Sequence, residues 1–151
     1  MNNFLDIFEN YTLICAVTAW AIAQLIKFIL TLAFSKTVDF KKFIATGGMP
    51  SSHTSTVCAL AASIGLVEGF SSVSFSLAAI LAVVVMVDAT GVRRATGENA
   101  KVLNKLINDV FVEKNSEYFT KDLKELVGHK PIEVLCGAFL GILIPFIIRP
   151  F

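Results

Sequence analysis

Charge is scarce in this chain. Of its 151 residues only 17% are charged while 55% are apolar, and the mean hydropathy is +0.71. A soluble domain of this length would struggle to hide so much apolar surface, so lipid is the expected solvent. The net charge is only +1, which gives no electrostatic reason to expect a nucleic-acid partner. Cysteine is equally sparse: Cys15, Cys58 and Cys136 lie singly in apolar stretches, at no metal-ligand spacing, and read as small hydrophobes. No carboxylate cluster or Cys/His set points to a metal, and no cofactor is expected. The N-terminal MNNFLDIFEN lacks a basic n-region, so the first apolar segment is expected to stay in the protein rather than leave as a cleaved signal. Internal repeats and low-complexity tracts are absent as well.

What the sequence does have is four apolar runs. Residues 13–34, 53–70, 73–89 and 131–148 are predicted to be membrane helices, because isolated strands leave their backbone unpaired in hydrocarbon. The first run is interrupted only by Gln24 and Lys27, and the fourth opens at Pro131, where a missing N–H costs little. The expected fold is a single all-α membrane domain over residues 1–151. A polar insert, residues 91–130, separates the third and fourth spans. Within it Leu103, Leu106, Ile107 and Val110 recur at helical spacing, with Lys101, Lys105 and Asp109 on other faces, which predicts an amphipathic helix. A shorter helix is expected at 120–127, with Thr120 as N-cap and Gly128 as stop. The insert reads as a solvated connector, or as helices that lie on the membrane surface or lid a site.

Eleven of the 13 lysines and arginines fall in the first loop and the insert. The positive-inside rule puts that side in the cytoplasm and both termini outside, with the cell membrane as the expected location. Glycines four apart in GLVEG (65–69) and GAFLG (137–141) let helix backbones approach closely. They serve packing within the chain or a homodimer.

This topology gathers the polar residues of the spans at one membrane face. Pro50, Ser51, Ser52 and His53 open the second span; Asp88, Arg93 and Arg94 close the third; His129 and Glu133 open the fourth. Lys27 lies roughly 10 Å inside the end of the first span at the helical rise, with Gln24 about one turn deeper on the same face. Each has a plain structural use: serine caps, a snorkelling lysine, arginines on lipid headgroups, Asp88 neutralising an arginine, Glu133 at a helix N-terminus. Those uses do not account for the convergence, and ionisable groups at membrane depth are functional candidates by default. The chemistry they suit is phosphoryl transfer. Lys27, Arg93 and Arg94 supply cationic donors for phosphate oxygens, and the start of the second span adds N–H groups and a positive dipole end. One neutral histidine can attack phosphorus while a protonated one donates to the leaving alkoxide. A carboxylate four residues after the nucleophile, as in HKPIE (129–133), can orient its ring.

These motifs also carry a resemblance. PSSH (50–53) resembles the PSGH motif, and HKPIE the HxxxD motif, of the type-2 phosphatidic acid phosphatase superfamily, which includes vanadium haloperoxidases. GGMPSSHT, MVDATGVRRATGENAKVLN and LKELVGHKPIEVLCGAFLG, with AQLIK in the first span, resemble the signature blocks of its divergent branch and cover most of the chain in order. The resemblance implies a metal-independent, membrane-embedded acid-phosphatase-like site. In it His129 is the nucleophile that forms a phosphohistidine, His53 the general acid and Glu133 the orienting carboxylate. Ser51 and Ser52 join the phosphate cradle. Beside what the resemblance implies, the position of Gln24 and Asp88 makes them candidates for support of the site. The chain departs from the superfamily pattern where SRxxxxxH would place an arginine at position 123, which is Leu123, and KxxxxxxRP is absent after Lys27. The expected function is hydrolysis of a phosphomonoester or pyrophosphate of a phospholipid or polyprenyl lipid. The alternatives are a catalytically inactive binder or transporter of anionic lipids, and a structural membrane subunit.

Overall fold

The computed structural model describes residues 4–35, 48–111 and 129–148. A 3-10 turn, Phe4–Glu9, leads into α1, Tyr11–Ser35, followed by α2, Ser52–Glu68, α3, Val73–Thr90, α4, Val92–Phe111, and α5, Pro131–Ile148. Every regular element among the described residues is helical. Three of the helices begin at side-chain caps that the sequence supplies. Asn10 accepts from the Leu13 N–H, Ser51 from the Thr54 N–H and Ser72 from the Phe75 N–H, each satisfying a donor that a helix start leaves orphaned.

Three segments are long and apolar enough to cross a membrane: Tyr11–Ala33, Val73–Ile107 and Pro131–Ile148. The second runs through Gly91, which interrupts the helix for a single residue. The Gly91 N–H still reaches the Val87 carbonyl at 2.8 Å, and the Ala95 N–H reaches the Gly91 carbonyl at 2.9 Å. The polar insert therefore starts as a near-continuation of α3 rather than as a loop. Its Leu103 and Leu106 are exposed. The helix expected at 120–127, the first-loop lysines and Leu123 lie outside the described residues.

α2 has 17 residues, about 25 Å at the helical rise and less than a hydrocarbon core of about 30 Å. It sits in the middle of the bundle instead, packed by α1, α3 and α5. That position explains its composition. Ser52, Thr54, Ser55 and Ser63 are buried in protein rather than in lipid, and the Ser55 hydroxyl donates to the Ala19 carbonyl of α1 at 3.3 Å.

The packing has the inside-out character of a membrane bundle. Ala16, Ala19, Ala23, Ala59, Ala78 and Ala82 are buried, while Trp20, Leu25, Leu77, Ile80, Leu135 and Phe139 face outward. Helices in lipid gain little from hiding large apolar side chains from one another and associate through close backbone approach. Gly137 and Gly141 of α5 show how close. A Cβ at Gly137 would lie 2.5 Å from the Ser51 carbonyl oxygen, and one at Gly141 would collide with the Ser55 carbonyl. The GAFLG glycines thus seat α5 on α2 within one chain. In GLVEG, Gly65 receives the Phe70 ring and Gly69 turns the chain at φ 90°. At the far end Pro145 leaves α5 without one backbone donor. Beside it the Tyr11 hydroxyl donates to the Pro145 carbonyl at 2.6 Å, tying the start of α1 to the end of α5.

Candidate active site

Three helix ends meet at one end of the bundle, held by two long-range backbone hydrogen bonds. The Ser51 N–H, at the cap of α2, donates to the Glu133 carbonyl in the first turn of α5 at 3.0 Å. The His129 N–H donates to the Ala89 carbonyl near the end of α3 at 3.2 Å, satisfying an acceptor that a helix C-terminus leaves open. Between these elements lies a cavity of about 220 Å³ lined by Ser51, His53, Val84, Val85, Asp88, Ala89, Arg93 and His129. The two histidines, which are 76 residues apart in sequence, share its wall.

His129 is buried, 3% exposed, and neither ring nitrogen has a hydrogen-bond partner among the described residues. Buried polar atoms are nearly always satisfied, so an imidazole with both nitrogens open beside a cavity marks a place for a polar ligand. Burial pushes this imidazole below the ordinary histidine range of about 6.5. The Glu133 carboxylate works against that shift, and Lys27, His53 and Arg93 add to it.

The other expected site residues divide. Arg93 lines the cavity and its Nε donates to Asp88, which lines it too. Arg94 points elsewhere, pairing with Glu98 one turn on at 3.1 Å on an exposed face. Lys27 is buried at 4% exposure, with its aliphatic stem against Gly48; Gln24, one turn away on α1, is buried as well. Ser51 is fully buried, and its hydroxyl accepts from both the backbone and the hydroxyl of Thr54. Ser52 is buried beside it without lining the cavity. The Glu133 carboxylate accepts the Lys130 N–H at 3.1 Å, the return half of a capping box at the start of α5, and does not bond the His129 ring.

Thr54 and Gly48 are participants that sequence reasoning passed over. Thr54 lies inside the GGMPSSHT block, and Gly48 adopts φ 98°, where a side chain would be strained. Among the described residues no group of three or more His, Cys, Asp or Glu side chains stands together as a metal site would require. The arrangement offers an anion two helix N-termini, a guanidinium held by its carboxylate, a buried lysine and two imidazoles.

Comparison with known proteins identifies the family. The sequence profile described as the Divergent PAP2 family matches residues 8–144. The chain belongs to the Divergent PAP2 family. It is also 40% identical over 156 residues to a Bacillus subtilis (strain 168) protein named uncharacterized membrane protein YuiD, covering 97% of this chain and 99% of that one. No solved structure matches. The PAP2-related chain is thus an integral membrane protein, and the matched residues include every member of the cavity wall.

Proposed function

We propose that this PAP2-related protein is a metal-independent lipid-phosphate phosphatase that works through a phosphohistidine at His129. The observation that carries the reading is the buried His129 ring, both nitrogens unpartnered among the described residues, on the wall of a cavity it shares with His53 and Arg93. Neutral His129 attacks phosphorus, the bond to the lipid oxygen breaks, and protonated His53 gives its proton to that leaving oxygen. Water then attacks the phosphohistidine with His53 as base, releasing inorganic phosphate and restoring both rings. Arg93, oriented by Asp88 through its Nε, turns its remaining N–H groups to the phosphate oxygens, and Lys27 adds charge from below. Ser51 and the α2 start complete the cradle. The site faces the cytoplasm in this reading, because the basic residues flank it.

The test is phosphate release by purified protein from lipid monophosphates and pyrophosphates, without added metal. Wild type turns substrate over, His53→Ala is slower by about 10²- to 10⁴-fold, and His129→Ala is inactive. Equal rates in all three would remove the mechanism. The second reading, a non-catalytic binder of anionic lipids, is favoured by the use of the Glu133 carboxylate in capping α5. It predicts lipid binding that His129→Ala retains, with no phosphate released by any variant.

A further inference from the structure

A second cavity, of about 340 Å³, lies between α2, α3 and α5, and its walls are almost wholly apolar: Cys58, Ala61, Ala62, Ala79, Ala82 and Ile142 along its length, with Phe70, Phe75 and Phe146 beside them. Both cavities border α3. On α3, Phe75, Ala79 and Ala82 line the apolar cavity while Val85 and Ala89 line the polar one. These five positions recur every three or four residues, so they form one stripe on one helix face, and Ala82 and Val85 are a single turn apart. Alanines in such a stripe would ordinarily let two membrane helices close on each other. Here the Phe70 and Phe75 rings meet edge to face, centroids 5.1 Å apart at 84°, at the α2–α3 turn, with Phe70 seated on Gly65. The aromatic pair lines the furrow at that end. From Val85 to Phe75 the furrow extends about 15 Å along α3.

We propose that this furrow holds one hydrocarbon chain of the lipid whose phosphate sits at His129, and that the Phe70–Phe75 pair sets the chain length accepted. The proposal rests on the phosphate site described above. Its occupant follows from what lies along one helix face: a cavity walled by Arg93 and two histidines at one end and an apolar furrow at the other. That is the outline of an amphiphile with an anionic head.

Two measurements on a series of alkyl monophosphates, from butyl to hexadecyl, test it. The first is kcat/KM against chain length. Wild type gains with each added length until the chain reaches the aromatic pair, then gains no more. Ala82→Phe, which fills the furrow, lowers the ratio of long-chain to butyl kcat/KM by about tenfold or more, while Phe75→Ala moves the optimum to longer chains. The second is photolabelling by an alkyl phosphate with a diazirine midway along its chain, which needs no turnover. It labels peptides containing Ala61 or Ala79, and unlabelled dodecyl phosphate competes. Absent turnover with this labelling retained would defeat the phosphatase reading and keep the furrow. Identical chain-length profiles in wild type and both folded variants, or labelling confined to the outward faces of α1 and α5, would overturn the proposal.

Discussion

Gly137→Ala probes the seam on which the site is built. Alanine is favoured over glycine inside a helix by about 1 kcal/mol, so propensity alone predicts a more stable protein. The geometry predicts the opposite. The added Cβ would stand 2.5 Å from the Ser51 carbonyl oxygen and 3.2 Å from the Ser51 Cβ and N, whereas carbon–oxygen contacts begin near ~3.3 Å. α2 and α5 would have to separate by about 0.8 Å at a point where both are pinned, Ser51 by its hydrogen bond to Glu133. Overpacking of that kind costs about 1–3 kcal/mol, leaving a net loss of about 0–2 kcal/mol after the propensity gain. Ser51 also lines the cavity, and a shift approaching 1 Å in a reacting geometry can cost about 10²-fold in rate. Thermal unfolding in one detergent, with phosphate release measured on the same preparation, reads both effects. A Gly137→Ala protein more stable than wild type would refute backbone-to-backbone packing of α5 on α2.

Tyr11→Phe removes the hydroxyl that reaches the Pro145 carbonyl and is expected to destabilise by about 0.5–1.5 kcal/mol, with no effect on the distant site; unfolding and turnover measured together check both. The pH dependence follows from His129, which burial holds below its ordinary value of about 6.5. The neutral nucleophile therefore persists as pH falls below that value, and the acid limb of the rate profile lies beneath it. The folded state binds its proton less readily than the unfolded chain, so the stability contributed is full above the unfolded value and is lost as pH falls through the folded one. Wild type should accordingly lose stability relative to His129→Gln between pH 7.5 and 5.5, and an unchanged or reversed difference would contradict the buried, unpartnered imidazole.

The helical character of the four apolar runs was legible from hydropathy alone. The near-continuity of α3 and α4 was not, because Gly91 reads as a breaker, yet both of its backbone groups stay in the helical ladder. Choosing between Arg93 and Arg94 was likewise beyond the sequence. The two lie about 100° apart on one helix, and only packing turns Arg93 to Asp88 and the cavity while Arg94 meets Glu98. The clasp that assembles the site uses the carbonyls of Ala89 and Glu133, groups every residue carries, so no side-chain pattern announces it. HKPIE fits two uses equally well: a carboxylate four residues past a histidine can orient its ring, and one three residues past Lys130 can cap α5. In the structure the Glu133 carboxylate makes the cap.

The central claim is the covalent role of His129, and it can be measured directly. Rapid acid-free quenching of wild type with a radiolabelled lipid phosphate, followed by peptide mapping, should place an acid-labile phosphate on His129 and none on His129→Ala. Phosphate release without any labelled histidine, or label on another residue in wild type, would contradict it.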